Sequence, residues 1–171
     1  EDTYRTLTAV DSAIMVIDGT KGVETQTYKL FEVCRLRNMP VLTFINKFDR
    51  EALDPIELLD EIEEKLQLHV CPLSWPIGMG KTFKGVYSIY EKRLVLFNPH
   101  GKQEVEKAIE ITDLNDPNLE TYIGADLAEK LREDIELIQG VYPPLNREDY
   151  LSGHVSPICF GSALNNFGVR E

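Results

Sequence analysis

Asn46, Lys47 and Asp49 fall within one short polar run, Asn46-Lys47-Phe48-Asp49. An ionised carboxylate is an acceptor only. The two oxygens of Asp49 can therefore take two parallel N–H bonds from one edge of a flat heterocycle. Guanine presents such a pair, its ring N–H beside its exocyclic amine, and adenine does not. The stem of Lys47 can lie over the plane of a base while its ammonium stays in water. The Asn46 amide both donates and accepts, so it can hold a base and a neighbouring loop together. A second short segment, Gly161-Ser162-Ala163-Leu164, supplies small residues that let the backbone approach a flat ligand. The Ala163 N–H there can donate to the guanine carbonyl oxygen. Asn-Lys-x-Asp alone is built of common residues, and Gly-Ser alone is an ordinary strand exit. Their pairing is more specific, because each follows an apolar run.

Those runs are Val41–Ile45 and Pro157–Phe160, and a third lies at Ala13–Ile17. They are nearly continuous in apolar residues rather than alternating, which predicts parallel strands covered on both faces. Open parallel sheets bind ligands at the carboxyl ends of their strands, and both polar segments sit at such ends. Between the first two runs, Val23, Thr27, Leu30, Phe31 and Cys34 share one helical face. Strand, helix, strand at this spacing predicts a βαβ unit with a right-handed crossover. Asp54, Pro55 and Glu57 read as a helix start, followed by Ile56, Leu59, Ile62 and Leu66 at helical spacing.

From Val70 the texture changes. Glycines and prolines intervene, and Gly85–Tyr90 with Arg93–Phe97 read as a hairpin. A helix is predicted over Ala125–Gln139, with Leu127, Leu131, Ile135 and Ile138 on one face and Gly140 as its terminator. The expected division is a core in two parts, 1–69 and 153–171, with an inserted α+β subdomain at 70–152.

The formal charge of -11 over 171 residues supplies no basic footprint for nucleic acid, so direct nucleic-acid binding is not expected. No apolar stretch reaches membrane-spanning length and no secretory signal opens the chain, which points away from a membrane and toward the cytoplasm. Cys34, Cys71 and Cys159 are scattered, without metal or disulfide spacing, and read as buried thiols of a reducing compartment. His69, His100 and His154 share no metal-ligand pattern. Asp113 and Asp116 read as turn residues. Glu61, Glu63 and Glu64, like Glu129, Glu133, Asp134 and Glu136, read as solvated helix faces.

Asp11-Ser12-Ala13-Ile14-Met15-Val16-Ile17-Asp18, Lys21-Gly22-Val23-Glu24-Thr25-Gln26-Thr27 and Phe44-Ile45-Asn46-Lys47-Phe48-Asp49-Arg50 together resemble the translational GTPases of the elongation factor G group. Arg5–Ala13, Glu32–Arg37 and Trp75-Pro76-Ile77-Gly78-Met79-Gly80-Lys81 resemble the termination-factor branch of that group more than elongation factor G itself. The resemblance covers essentially the whole chain. It implies an α/β fold: a partial P-loop GTPase-like parallel sheet with helices on both faces and an inserted α+β subdomain. It also implies GTP or GDP as ligand, with Asn46, Lys47, Asp49, Ser162, Ala163 and Leu164 at the base, and Mg2+ in the full-length protein. The implied partners are the ribosome and class one release factors.

The family's phosphate loop, GxxxxGK[ST], has no counterpart in these residues. Met79-Gly80-Lys81-Thr82 matches only its tail, and Trp75 stands where its first glycine belongs. The magnesium-binding switch threonine and the DxxGH segment are also missing from the sequence. The chain is therefore expected to begin inside the second switch helix and to end in the last helix of the domain, with no catalytic residues of its own. The strand at Ala13–Ile17 is expected at an open sheet edge. Two other readings remain: elongation factor G or a ribosomal protection protein, and an acidic α/β module that docks a protein without nucleotide.

Overall fold

The three apolar runs become strands, as their composition demands. A computed structural model describes residues 5–7, 9–96 and 107–162. Strands β1 (Ala13–Asp18), β2 (Val41–Asn46) and β8 (Val155–Phe160) lie side by side and parallel. Helix α1 (Thr25–Leu36) links β1 to β2 and buries Phe31 and Cys34. Helix α2 (Pro55–Leu66) follows β2 and buries Leu58, Leu59, Ile62 and Leu66. Its start is fixed as the sequence predicts. The Asp54 carboxylate accepts from the N–H groups of Ile56 (2.9 Å) and Glu57 (3.3 Å), and Pro55, which has no N–H to satisfy, takes the first position.

A fourth parallel strand, β3 (His69–Pro72), pairs with the far side of β8. The sheet order is β1-β2-β8-β3. Sequence reading placed Val70 at the start of irregular chain. A run that short, ending in proline, carries no period to detect, and it is pairing with β8 that makes it a strand.

The second sheet is antiparallel, in the order β4-β5-β6-β7. Its strands are β4 (Ser74–Ile77), β5 (Gly85–Ser88), β6 (Arg93–Leu96) and β7 (Lys107–Glu110). The hairpin expected at 85–97 is β5–β6. Its turn spans 89–92 rather than two residues, with Lys92 at φ 55°, and Phe97 lies outside the described residues. Gly85 is required where it stands. It sits at φ 146°, and a Cβ there would come within 2.0 Å of the Val95 carbonyl oxygen.

Helices α3 (Asn118–Ile123), α4 (Ala125–Val141) and α5 (Arg147–Leu151) complete the described chain. Helix α4 runs through Gly140 and stops at Val141, ahead of Pro143-Pro144. Gly140 carries a helical conformation at the cost of some stability, and the prolines end the helix. Asp113 and Asp116 make turns, accepting from the N–H groups of Asn115 and Asn118 (2.9 Å each).

Two sequence expectations about charge are corrected. Asp134 is buried, not solvated: it lies on the same side of α4 as Leu131, Ile135 and Ile138. Glu61 and Glu63 are partly buried acceptors. Glu61 takes the Val23 N–H (2.9 Å) and Lys65 (2.8 Å), and Glu63 takes the Val70 N–H (3.1 Å). Helical spacing reported which positions are apolar. It did not report that neighbouring loops end in N–H groups needing an acceptor.

The edge strand β1 is less covered than its composition predicts. Ile14 is 70% and Val16 57% exposed, whereas Ile17, on the opposite face, is 1% exposed. Among the described strands, β1 pairs with β2 alone.

Candidate functional site

The loop after β2 carries Asn46-Lys47-Phe48-Asp49, and the loop after β8 carries Gly161-Ser162. Main-chain bonds bring the two together. Gly161 donates to the Ile45 oxygen (3.0 Å), and Phe48 donates to the Gly161 oxygen (3.2 Å). This exchange continues the ladder of β2 and β8 past the strand ends and fixes both loops side by side. Ser162 is fully buried. Ala163 and Leu164 lie outside the described residues.

Phe48, a position the motif leaves open, is fully buried. Its ring meets Phe160 edge-on, with centroids 5.1 Å apart and an interplanar angle of 88°. The polar residues on either side are thereby turned outward. Asn46, Lys47 and Asp49 are all partly exposed. Lys47 takes a left-handed conformation, φ 72°, uncommon for a residue with a side chain and costly without support. The support is local: the Asn46 side-chain oxygen accepts the Lys47 N–H (2.8 Å), and Arg50 donates back to the Lys47 oxygen (3.0 Å).

The end of β1 forms a second wall. Asp18 stands opposite Asn46 in register. The Lys47 ammonium reaches back to the Asp18 carboxylate at 2.8 Å. The other Asp18 oxygen accepts from the Thr20 hydroxyl (2.6 Å) and the Thr20 N–H (2.9 Å). Burial alone would raise the Asp18 pKa. The Lys47 ammonium and the two Thr20 donors outweigh it and hold the carboxyl down at about 2. Gly19 donates to the Asn46 oxygen at 2.9 Å. A Cβ at Gly19 would meet the Phe48 ring at 2.8 Å and that same oxygen at 2.9 Å, so only glycine lets β1 approach the loop this closely.

A third wall comes from the segment that mimics the tail of a phosphate loop. Gly80–Thr82 is a short 3-10 turn after β4, with no long helix to aim N–H groups at an anion. Its role is a brace. The Gly80 N–H donates to the oxygens of both Phe48 and Arg50 (3.1 Å each). Gly80 adopts φ 58° to do so, and a Cβ there would meet the Glu51 carboxylate at 2.6 Å.

The brace is anchored in turn. Trp75 on β4 is fully buried and packs against Phe160, centroids 5.4 Å apart. Its indole N–H donates to Asp134 on α4 (3.2 Å), and Asp134 also accepts from Lys130 (2.9 Å). Ser74 accepts the Phe160 N–H (3.0 Å). Phe48, Phe160, Trp75 and Asp134 thus form one continuous packed row from the loop to α4.

Sequence reasoning singled out Asn46, Lys47, Asp49 and Ser162, and the structure places them around two adjoining strand ends. It gave no role in this site to Asp18, Gly19 or Phe48, and considered Gly80 only as the tail of a phosphate loop. An aromatic in the middle of a polar run was the available signal for Phe48. Nothing in the spacing pairs Asp18 with Lys47, because their proximity comes from strand register.

Cys34, Cys71 and Tyr142, whose pKa values are shifted, lie away from these loops. Burial raises the thiols of Cys34 and Cys71, and all three cysteines are buried and outside disulfides. Tyr142 is pushed up to about 12 by burial and by the nearby Asp60 and Glu63 carboxylates. Among the described residues there is no group of three or more His, Cys, Asp or Glu placed to hold a metal ion. Nor is any of their helices long and apolar enough to cross a membrane.

A parallel α/β sheet whose neighbouring strand ends carry these two loops defines a domain of the nucleotide-binding α/β class. The chain belongs to the elongation factor Tu GTP-binding domain family, which it matches over residues 1–171. Its fold is similar to that of a crystal structure of a protein from Thermus thermophilus, with a TM-score of 0.68 and 18% sequence identity. That match covers 98% of this chain and 26% of the other, so this chain spans about a quarter of the length of its structural relative.

Proposed function

We propose that the chain is the base-recognising part of the GTP-binding domain of a translational GTPase, of the release factor three type. Such a protein helps class one release factors leave the ribosome after termination. The observation that carries the nucleotide reading is the joining of Asn46-Lys47-Phe48-Asp49 to Gly161-Ser162 by the Phe48–Gly161 and Gly161–Ile45 bonds. The release-factor reading rests on the sequence Trp75–Lys81, whose Trp75 and Gly80 hold the loop from below. The elongation factor G type is equally compatible with the fold.

Asp49 accepts the ring N–H and exocyclic amine of guanine. Asn46 ties the base to the loop, and the Lys47 stem lies over the ring. Ser162, Ala163 and Leu164 line the carbonyl edge. The phosphates, with Mg2+, are bound by residues beyond these 171, and these residues alone do not hydrolyse GTP. The working compartment is the cytoplasm.

Asp49→Asn in the whole protein tests the assignment. The amide nitrogen would face the guanine amine, donor against donor, whereas it would donate to the corresponding carbonyl of xanthine. GDP binding should weaken by roughly 100-fold, about 2.8 kcal/mol, while xanthosine diphosphate binding strengthens. Competition binding of the two nucleotides to wild type and mutant reads the outcome. An unchanged preference for guanine would mean that Asp49 does not touch the base.

A further inference from the structure

We infer that Asp18 is the positioning residue for Lys47, setting the conformation in which the stem of the lysine, rather than its ammonium, faces the base. The inference rests on the guanine-site reading above and adds a residue from another strand to it.

Three observations carry it. The Lys47 ammonium lies 2.8 Å from Asp18, across the β1–β2 boundary from its own backbone. The Asp18 side chain is 14% exposed and the Lys47 side chain 40%, so the carboxylate is sheltered while the lysine keeps an open face. Asp18 is itself fixed by the two Thr20 donors and cannot follow the lysine outward. A lysine ammonium is strongly hydrated and its long stem is mobile. Fixing its head at the floor of the site removes rotamer freedom before a ligand arrives, so less is lost on binding. Base discrimination stays with Asp49. Asp18 governs affinity through Lys47 and leaves the choice of base alone.

The test is a double-mutant cycle in the whole protein, read by equilibrium binding of GDP and of xanthosine diphosphate. Asp18→Asn keeps the shape of the side chain and releases the ammonium. It should weaken GDP binding about five- to thirtyfold and leave the preference for GDP over xanthosine diphosphate unchanged. In a Lys47→Met background, which keeps an unbranched stem, Asp18→Asn should have less than about a twofold effect, because the residue it acts through is gone. Asp18→Glu keeps the charge but shifts it by one carbon, and should recover part of the loss only when Lys47 is present. Far-UV circular dichroism checks that each variant folds. If Asp18→Asn does not fold, the Asp18→Glu comparison with and without Lys47 carries the same test.

Equal weakening by Asp18→Asn with and without Lys47 would overturn the positioning role and leave the guanine site standing. So would full affinity in Asp18→Asn while Lys47→Met is impaired. Unimpaired GDP binding in Lys47→Met would also overturn the positioning role, whereas only a wild-type protein that does not prefer GDP to xanthosine diphosphate would overturn the guanine site itself.

Discussion

Replacing Phe48 with alanine should cost more stability than its place in a surface loop suggests. The ring is fully buried, meets Phe160 at 5.1 Å, and lies under Gly19. Buried phenylalanine to alanine costs about 3–5 kcal/mol, depending on how far the surroundings collapse. Collapse is restricted here. The main chain of Phe48 is held by Gly161 and Gly80, and Gly19 is held by Asn46. We therefore expect about 4 kcal/mol, a large share of the roughly 5–15 kcal/mol that stabilises a typical domain. Phe48→Leu, which keeps most of the volume, should cost about 1 kcal/mol. Gly19→Ala places a methyl 2.8 Å from the ring and 2.9 Å from the Asn46 oxygen, an overpacking worth about 1–3 kcal/mol. Combining Gly19→Ala with Phe48→Leu removes the ring clash and leaves the backbone clash, so the pair should fall short of additivity by about 1 kcal/mol. Urea denaturation followed by far-UV circular dichroism gives these values as midpoint shifts at constant slope. The packing argument fails if Phe48→Ala costs less than about 1 kcal/mol, or if the double mutant is additive within about 0.4 kcal/mol.

Two further outcomes follow from the same framework. The folded pKa of Asp18, about 2, lies below its ordinary value of 3.8, so its contribution is present above about pH 4 and is lost as pH falls toward 2. With Lys47 40% exposed and screened by solvent, about 1 kcal/mol is expected. The stability gap between wild type and Asp18→Asn should close by that amount between about pH 6 and pH 2 in urea titrations, and a gap independent of pH would contradict the ion pair. Trp75→Phe should cost about 1.5–3 kcal/mol, because Asp134 loses a charge-assisted bond while buried. A midpoint shift equivalent to less than about 0.5 kcal/mol would show that Lys130 alone satisfies the carboxylate.

Much of the architecture is legible in the sequence because strong local signals agree with it. Three apolar runs, one capped helix start and one hairpin lie where composition puts them, and the two polar segments close on each other at strand ends. What escaped reading is non-local. β3 is a strand only because β8 is beside it. Asp134 looks like one more charge on an acidic helix until Trp75 is packed against it. Met79-Gly80-Lys81-Thr82 invites a phosphate-loop reading by residue type. Its geometry makes it a prop for Phe48 and Arg50 instead. Asp18 and Lys47 are remote in sequence and meet because β1 and β2 are parallel and in register.

The chain contains a single tryptophan, and its location gives the molecule a built-in optical probe. The indole sits at the seam between the two sheets, against the Phe160 ring that packs on Phe48, and wholly shielded from water. Its emission in the native state should be blue-shifted, and any parting of the antiparallel sheet from the parallel one should move it to longer wavelength. Stopped-flow mixing with a candidate ligand can therefore report whether the two sheets shift against one another, without a label and without altering a residue.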